Sequence, residues 1–264
     1  MEYRKIYKIL IISVVLFLWA TLSYSQSKYI DICTSPGISQ FRDLATSPLY
    51  YKGNTISLSG GYLKLSKERL SGINIEYTTG GHKSNYNGTN ESSLFHSIDV
   101  SYKLLFPVKI KIGEKTSLYA GGSLVTTTNF RENKALHNNS FGLENITNLM
   151  LASLIEKGTN SGHNRGSKFF VEILAGIANM NYRPGYAYSY MPAINETTIR
   201  ALAGYNFSLS GFRFKAKAGF RKKLPNGNMM ALFYNFDVYN APGKYEPFNY
   251  SRHSVSLSLI FKYK

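Results

Sequence analysis

The sequence predicts an all-β chain, closed into an antiparallel transmembrane β-barrel of ten strands. Three observations predict it. First, the stretch His253 to Lys264 alternates strictly: Val255, Leu257, Leu259, Phe261 and Tyr263 share one face, while Ser254, Ser256, Ser258 and Lys262 share the other, with Ile260 the exception. A strand has a side-chain period of two, so this pattern means one apolar and one wet surface, over the length of a membrane-crossing strand. Second, the chain holds 21 Tyr, 16 Phe and 22 Gly, the supply that two interfacial girdles and twisted, tightly turning strands require. Third, short and long connections between the alternating segments take turns along the chain, as they do where a barrel has turns at one end and loops at the other.

The N-terminus reads as a secretory signal over residues 1–25. Arg4, Lys5 and Lys8 precede an apolar run from Ile9 to Ala20 in which Ser13 is the one polar residue, and Ser23 and Ser25 precede a cleavage point at Gln26. The run is too short to span a bilayer comfortably, and no other window approaches the length of a transmembrane helix. Residues 26–264 are then one barrel domain. The net charge is +16; without the signal's three bases and Glu2, 28 bases face 14 acids, a net +14. For an exported chain this balance favours lipopolysaccharide phosphates or an anionic solute over nucleic acid. The single cysteine, Cys33, excludes an intramolecular disulfide framework.

Taken in order, residues 26–53 are the least regular. Tyr29 to Cys33 gives a short first strand over 28–34, ended by Ser35-Pro36-Gly37, and a loop runs through Ser47 to Gly53. Ile56 and Leu58 open the next strand, whose phase slips at Gly60-Gly61, where a bulge is expected. Ile73, Ile75 and Tyr77 oppose Asn74, Glu76 and Thr78, and 80–93 is a long polar loop. Ile98, Val100, Tyr102 and Leu104 alternate with Ser97, Asp99, Ser101 and Lys103. Leu118 to Leu124 form another strand, and 129–144 another loop. Residues 145–156 fit both a helical stripe and an imperfect strand; they are read as strand. Phe169 to Ile177 alternate strongly. A Tyr-rich loop opens at Asn181-Tyr-Arg-Pro-Gly185, and residues 195–208, in which Ile199 to Phe207 alternate, form an extracellular extension. Phe212 to Phe220 and Met230 to Val238 are strands joined through Leu224-Pro-Asn-Gly227, with Asn-Gly the favoured hairpin pair. The loop 240–252 leads to the closing strand. Short connections at 67–69, 113–115, 158–166 and 224–227 all land on the periplasmic side. Twelve strands result if 182–208 joins the wall, eight if two weak segments drop out.

Two features separate this chain from a soluble sandwich. The apolar series ends repeatedly in aromatics, which suit a headgroup interface. The opposite face carries charges at mid-strand: Arg213, Lys215, Lys217 and Arg221 lie on one side of one strand. In a barrel these bases line the lumen, with Glu76, Asp99, Glu172 and Asp237 as candidate acidic partners.

The arrangement of Ser47-Pro-Leu-Tyr-Tyr-Lys-Gly53, Arg183-Pro-Gly-Tyr186, Asn226-Gly-Asn228 and His253 to Phe261 resembles uncharacterised small outer-membrane β-barrel proteins of the Bacteroidetes type. The resemblance covers most of the mature chain. It implies outer-membrane location and handling by the barrel-assembly machinery, and assigns no activity. Lys264 departs from the aromatic last residue usual there; Tyr263 is the substitute.

Catalysis is disfavoured. The histidines, His82, His96, His137, His163 and His253, fall mostly in predicted loops. The Asp-x-Asp and Asp-x-His pairs of the resembling barrel proteases are absent, and His253 and Ser254 point to opposite faces. No phosphate-cradling loop, zinc motif or other cofactor site is expected. The reading is a monomeric barrel with a structural or membrane-scaffold role and a basic lumen. One alternative is a small anion-preferring, porin-like pore. Another is an adhesion or assembly protein acting through Tyr182, Tyr186, Tyr188 and Tyr190 as loop contacts.

Overall fold

The sequence's alternation becomes an alternation of exposure. In the strand Phe248–Tyr263, Ser254, Ser256, Ser258 and Ile260 are buried, whereas Val255, Leu257, Leu259 and Phe261 are 41–54% exposed. The computed structural model describes residues 27–44, 46–86, 89–110, 115–133, 141–159, 166–184, 205–242 and 247–263. The predicted signal peptide lies outside these residues.

The strands are β1 (Ser27–Asp43), β2 (Tyr51–Leu65), β3 (Leu70–Tyr86), β4 (Thr89–Val108), β5 (Thr116–Glu132), β6 (Phe141–Gly158), β7 (Ser167–Pro184), β8 (Tyr205–Ser208), β9 (Phe212–Lys223), β10 (Met229–Ala241) and β11 (Phe248–Tyr263). All pair antiparallel with their neighbours, β1 pairs with β11, and the sheet closes. The four-residue β8 continues β9: Asn181↔Ser208 and Ala175↔Phe214 fall on one register of β7. The wall is therefore a ten-stranded barrel. The ladder row through Cys33 meets β6 at Ile146 by way of Ser59, Glu76, Asp99 and Thr127. The other way it passes Ser258, Ala231, Arg221 and Lys168 and meets β6 at Gly158, twelve residues along. This stagger is the shear that tilted strands need to close.

Several expectations are corrected. β1 does not stop at Pro36-Gly37. The β1–β11 pairing skips Ser35 and Pro36, so the missing proline N–H costs no bond there. A Cβ on Gly37 would run into the His253 carbonyl oxygen; the glycine lets two backbones approach. Gly60-Gly61 forms no bulge, since the registers of β2 with β1 and with β3 run through it unbroken. The bulge lies instead at β6–β7, between Leu149 and Met150 on one strand and Ala178 and Gly176 on the other. The described residues of stretches 80–93, 129–144 and 240–252 are mostly strand, because β3, β4, β5, β6, β10 and β11 extend beyond the apolar belt as a collar. Residues 145–156 are strand. Residues 205–208 belong to the wall and not to an extension, while 195–204 lie outside the described residues. Tyr182 is likewise a wall residue, paired with Asn145 and Phe207.

The turn end of the barrel holds tight connections such as Leu224–Asn228, where Gly227 takes a φ of 83° and its N–H reaches the Leu224 carbonyl at 3.0 Å. The opposite, loop end carries the remaining connections. The outer surface is a belt of Ile, Leu, Val and Phe: Ile56, Leu58, Ile75 and Leu232 are each more than half exposed. The largest buried side chains, Arg213 among them, lie inside.

Candidate functional site: the barrel lumen

Inward-facing positions stack into layers whose chemistry changes from one end to the other. At the turn end the layer is apolar, with Leu70, Leu105, Leu154 and Phe170 packed together. Glu156 is held beside them by Arg221 at 2.8 Å and Lys168 at 2.7 Å.

Above this layer is a cavity of about 170 Å³ lined by Asp31, Cys33, Asn74, Glu172, Lys217 and Asn235, among others. Glu172 on β7 pairs with Lys103 on β4. Lys217 lies over the Phe233 ring, 5.8 Å from its centroid, and has no carboxylate within ion-pair distance among the described residues.

The middle layer crosses the lumen. Arg213 on β9 is fully buried. Its Nε and Nη2 donate to the two Asp237 oxygens at 3.1 and 2.7 Å, Nη2 also reaches Asp99 at 3.0 Å, and Nη1 reaches the Thr127 hydroxyl at 2.6 Å. Lys215 adds contacts to Asp99 at 3.0 Å and Asp237 at 3.1 Å. Asp99 is on β4, four strands around the wall from β9 through β5, β6 and β7, so these bonds tie opposite walls together. Beside them Arg252 on β11 donates to Glu76 on β3 at 2.6 Å, to Thr78 at 3.2 Å and to the Ser35 carbonyl at 3.1 Å. Charge-assisted, multidentate contacts of this kind are the strong class of hydrogen bond.

The loop-end layer combines rings and ions. Phe41 stacks on Tyr51 at 5.2 Å and on Phe95 at 5.7 Å, Phe95 stacks on Tyr250 at 5.3 Å, and Tyr250 stacks on Tyr239 at 4.8 Å. His82 is buried against them and bonds Ser39 at 2.6 Å. Asp43 receives Arg131 at 2.5 Å and Arg183 at 2.7 Å, and Glu144 also pairs with Arg131. Arg131 stands 4.5 Å over the Phe248 ring, a cation–π contact within this layer.

The structure thus brings Arg213 and Lys215 together with Asp99 and Asp237. It separates the other predicted groups: Glu76 pairs with Arg252, Glu172 with Lys103, and Arg221 with Glu156. Sequence reasoning missed Arg131, Arg183, Asp43 and Glu144, which lie in stretches read as loop or loop boundary. Their signal was available in the alternation Asn129-x-Arg131-x-Asn133 and Asn181-x-Arg183, in which every second residue is buried. Tyr186, Tyr188, Tyr190, His137 and His163 lie outside the described residues. His253 faces outward and bonds Tyr234, and Ser254 faces inward. Among the described residues no group of His, Cys, Asp and Glu is arranged to hold a metal ion.

No protein-family model matches the chain, and no curated protein matches it. Among solved structures it is similar to the outer membrane protease OmpT from Escherichia coli, with a TM-score of 0.56 and 8% identity over 92% of this chain and 100% of that one. It also matches the translocator domain of the autotransporter NalP from Neisseria meningitidis, with a TM-score of 0.43 and 10% identity over 99% of this chain and 96% of that one. The likeness to the protease, at 8% identity, is one of fold alone: a closed antiparallel β-barrel.

Proposed function

We propose that the protein is an outer-membrane β-barrel whose lumen is closed by its own side chains, a monomeric membrane scaffold that works without catalysis through its outer surface and loop end. One observation carries this reading. Arg213, fully buried, joins Asp237 on its own side of the barrel to Asp99 on the far side, and the aromatic and ionic layer at the mouth lies above it. A water-filled anion pathway would need solvated bases, whereas Arg213, Lys215, Arg221 and Arg252 are each paired with a carboxylate. The outer belt supports the membrane location. Apolar surface this extensive is a liability in water, and a closed ladder leaves no backbone edge unpaired in lipid. With the turn end inward, short turns face the periplasm and the collar of extended strands faces out.

The pore reading keeps one observation in its favour, the carboxylate-free Lys217 in its cavity. Liposome swelling separates the two. Vesicles loaded with folded protein should swell in isosmotic glycine or arabinose no faster than empty ones; fast swelling would establish an open lumen instead.

A further inference from the structure

Of the charged side chains that line the cavity between the turn-end layer and the Arg213 layer, all but two are matched. Lys103 pairs with Glu172, Arg221 with Glu156, Lys215 with Asp99 and Asp237, and Glu76 with Arg252. The base left over is Lys217 and the acid left over is Asp31. Lys217 faces the Phe233 ring, and Asp31 accepts a hydrogen bond from the Ser258 hydroxyl. Neither has an oppositely charged side chain within ion-pair distance among the described residues. Lys217 enters from β9 and Asp31 from β1, with β10 and β11 between them.

A charge held inside a barrel without a counter-charge is costly, and here one of each sign faces a shared void. Small residues on β2 to β5, Gly61, Gly72, Ser101 and Ser123, hold that void open at about 170 Å³. A cavity of about 150 Å³ takes a molecule the size of benzene, so the space suits a ligand of about six non-hydrogen atoms. Its cover is uneven. At the loop end Phe41, Tyr51, Phe95 and Phe248 are each no more than 3% exposed. At the turn end Leu63, Leu65, Tyr119 and Phe233 stay only partly buried, so a ligand enters from that side.

We infer that the cavity is a binding site for a small zwitterion, an α-amino acid of the size of glycine or alanine, with its carboxylate on the Lys217 ammonium and its ammonium on the Asp31 carboxylate. The inference rests on the closed lumen described above, which makes the cavity a pocket with one entrance. A lone anion would leave Asp31 uncompensated, and a lone cation would leave Lys217 so. A molecule carrying both charges gives each group a charge-assisted hydrogen bond.

Cys33, the single cysteine, lines the same cavity and serves as the reporter. The mature chain is refolded in phosphatidylcholine vesicles, heat-dependent gel migration reports the fold, and mass spectrometry follows the modification of Cys33 by methyl methanethiosulfonate. Glycine and alanine should slow the modification in a saturable way. Acetate or methylamine, each with one of the two charges, should protect ~10-fold less effectively or worse, the worth of one hydrogen bond to a charged group. Lys217→Met and Asp31→Asn should each raise the half-protecting glycine concentration by ~10-fold or more. If one variant fails to fold, the other and the single-charge probes on the unaltered chain still decide. An unchanged rate in glycine, equal protection by acetate or methylamine, or a Cys33 that reacts only in urea would overturn the site. Vesicle swelling in glycine tells this failure from failure of the closed lumen. Protection with fast swelling keeps the two-charge site and overturns the closure, whereas neither protection nor swelling overturns the site alone.

Discussion

Arg213 grips Asp237 with two parallel hydrogen bonds, from Nε at 3.1 Å and Nη2 at 2.7 Å, and uses the same Nη2 to reach Asp99 across the barrel. Removing the guanidinium leaves two carboxylates facing one lysine in a buried layer. Arg213→Met should therefore destabilise the folded barrel by ~3–5 kcal/mol, the scale for breaking a buried ion pair. Urea unfolding in lipid vesicles measures it. Arg213→Met combined with Asp237→Leu should lose less than Arg213→Met alone, because the second change removes an uncompensated charge.

Lys217 offers the contrasting case. It sits four residues along the same strand but pairs with no carboxylate among the described residues, and contacts the Phe233 ring. Lys217→Met keeps the stem and drops only the charge, so it should change stability by less than ~1 kcal/mol, the ceiling for an exposed cation–π contact. The same unfolding assay should rank it far below Lys215→Met.

Two glycines of β2 should respond in opposite ways to an added methyl. A Cβ on Gly53 would collide with the Gly81 carbonyl oxygen, whereas a Cβ on Gly60 would meet nothing within 4 Å. Gly53→Ala should cost ~1–3 kcal/mol, as overpacking does, and Gly60→Ala should be near neutral. Urea midpoints of the two variants give the comparison.

The outer belt makes a depth-dependent prediction. Leu257 and Leu94 are similarly exposed, at 44% and 43%, yet Leu257 lies mid-strand in β11 and Leu94 lies beyond Ile98 towards the loop end. Leu257→Arg should cost ~2–4 kcal/mol and Leu94→Arg ~0–1, as lipid-facing charges do at the midplane and near the interface. Equal costs at both sites would contradict a bilayer around the belt.

Much of this architecture was legible in the sequence because a strand's dyad reports which face each side chain takes. Leu257 out and Ser256 in, or Arg213 and Lys215 both in, follow from spacing alone. What the dyad does not report is height. The partner of an inward base depends on the twelve-residue stagger around the barrel, which is why Glu76 meets Arg252, and Glu172 meets Lys103, instead of the bases on β9. Strand length was also hidden. Beyond the belt polar residues enter the outward face while rings such as Phe41 and Phe95 enter the inward one, so Asn129 to Glu132 and Gly80 to Tyr86 lose the apolar alternation while keeping the ladder. Pro36, ordinarily a strand breaker, is tolerated where the β1–β11 ladder skips it, and Gly37 where two backbones approach closely.

Single-channel recording in a planar bilayer is the most direct test of the closed lumen. With the folded, inserted protein present, the account predicts no steady conductance steps. It also predicts that steps appear when the mouth is opened by Arg131→Ala together with Phe248→Ala and the middle layer by Arg213→Ala. Steady anion-selective steps from the unaltered protein, weakened when Lys215 and Lys217 become Glu, would contradict it and establish a pore.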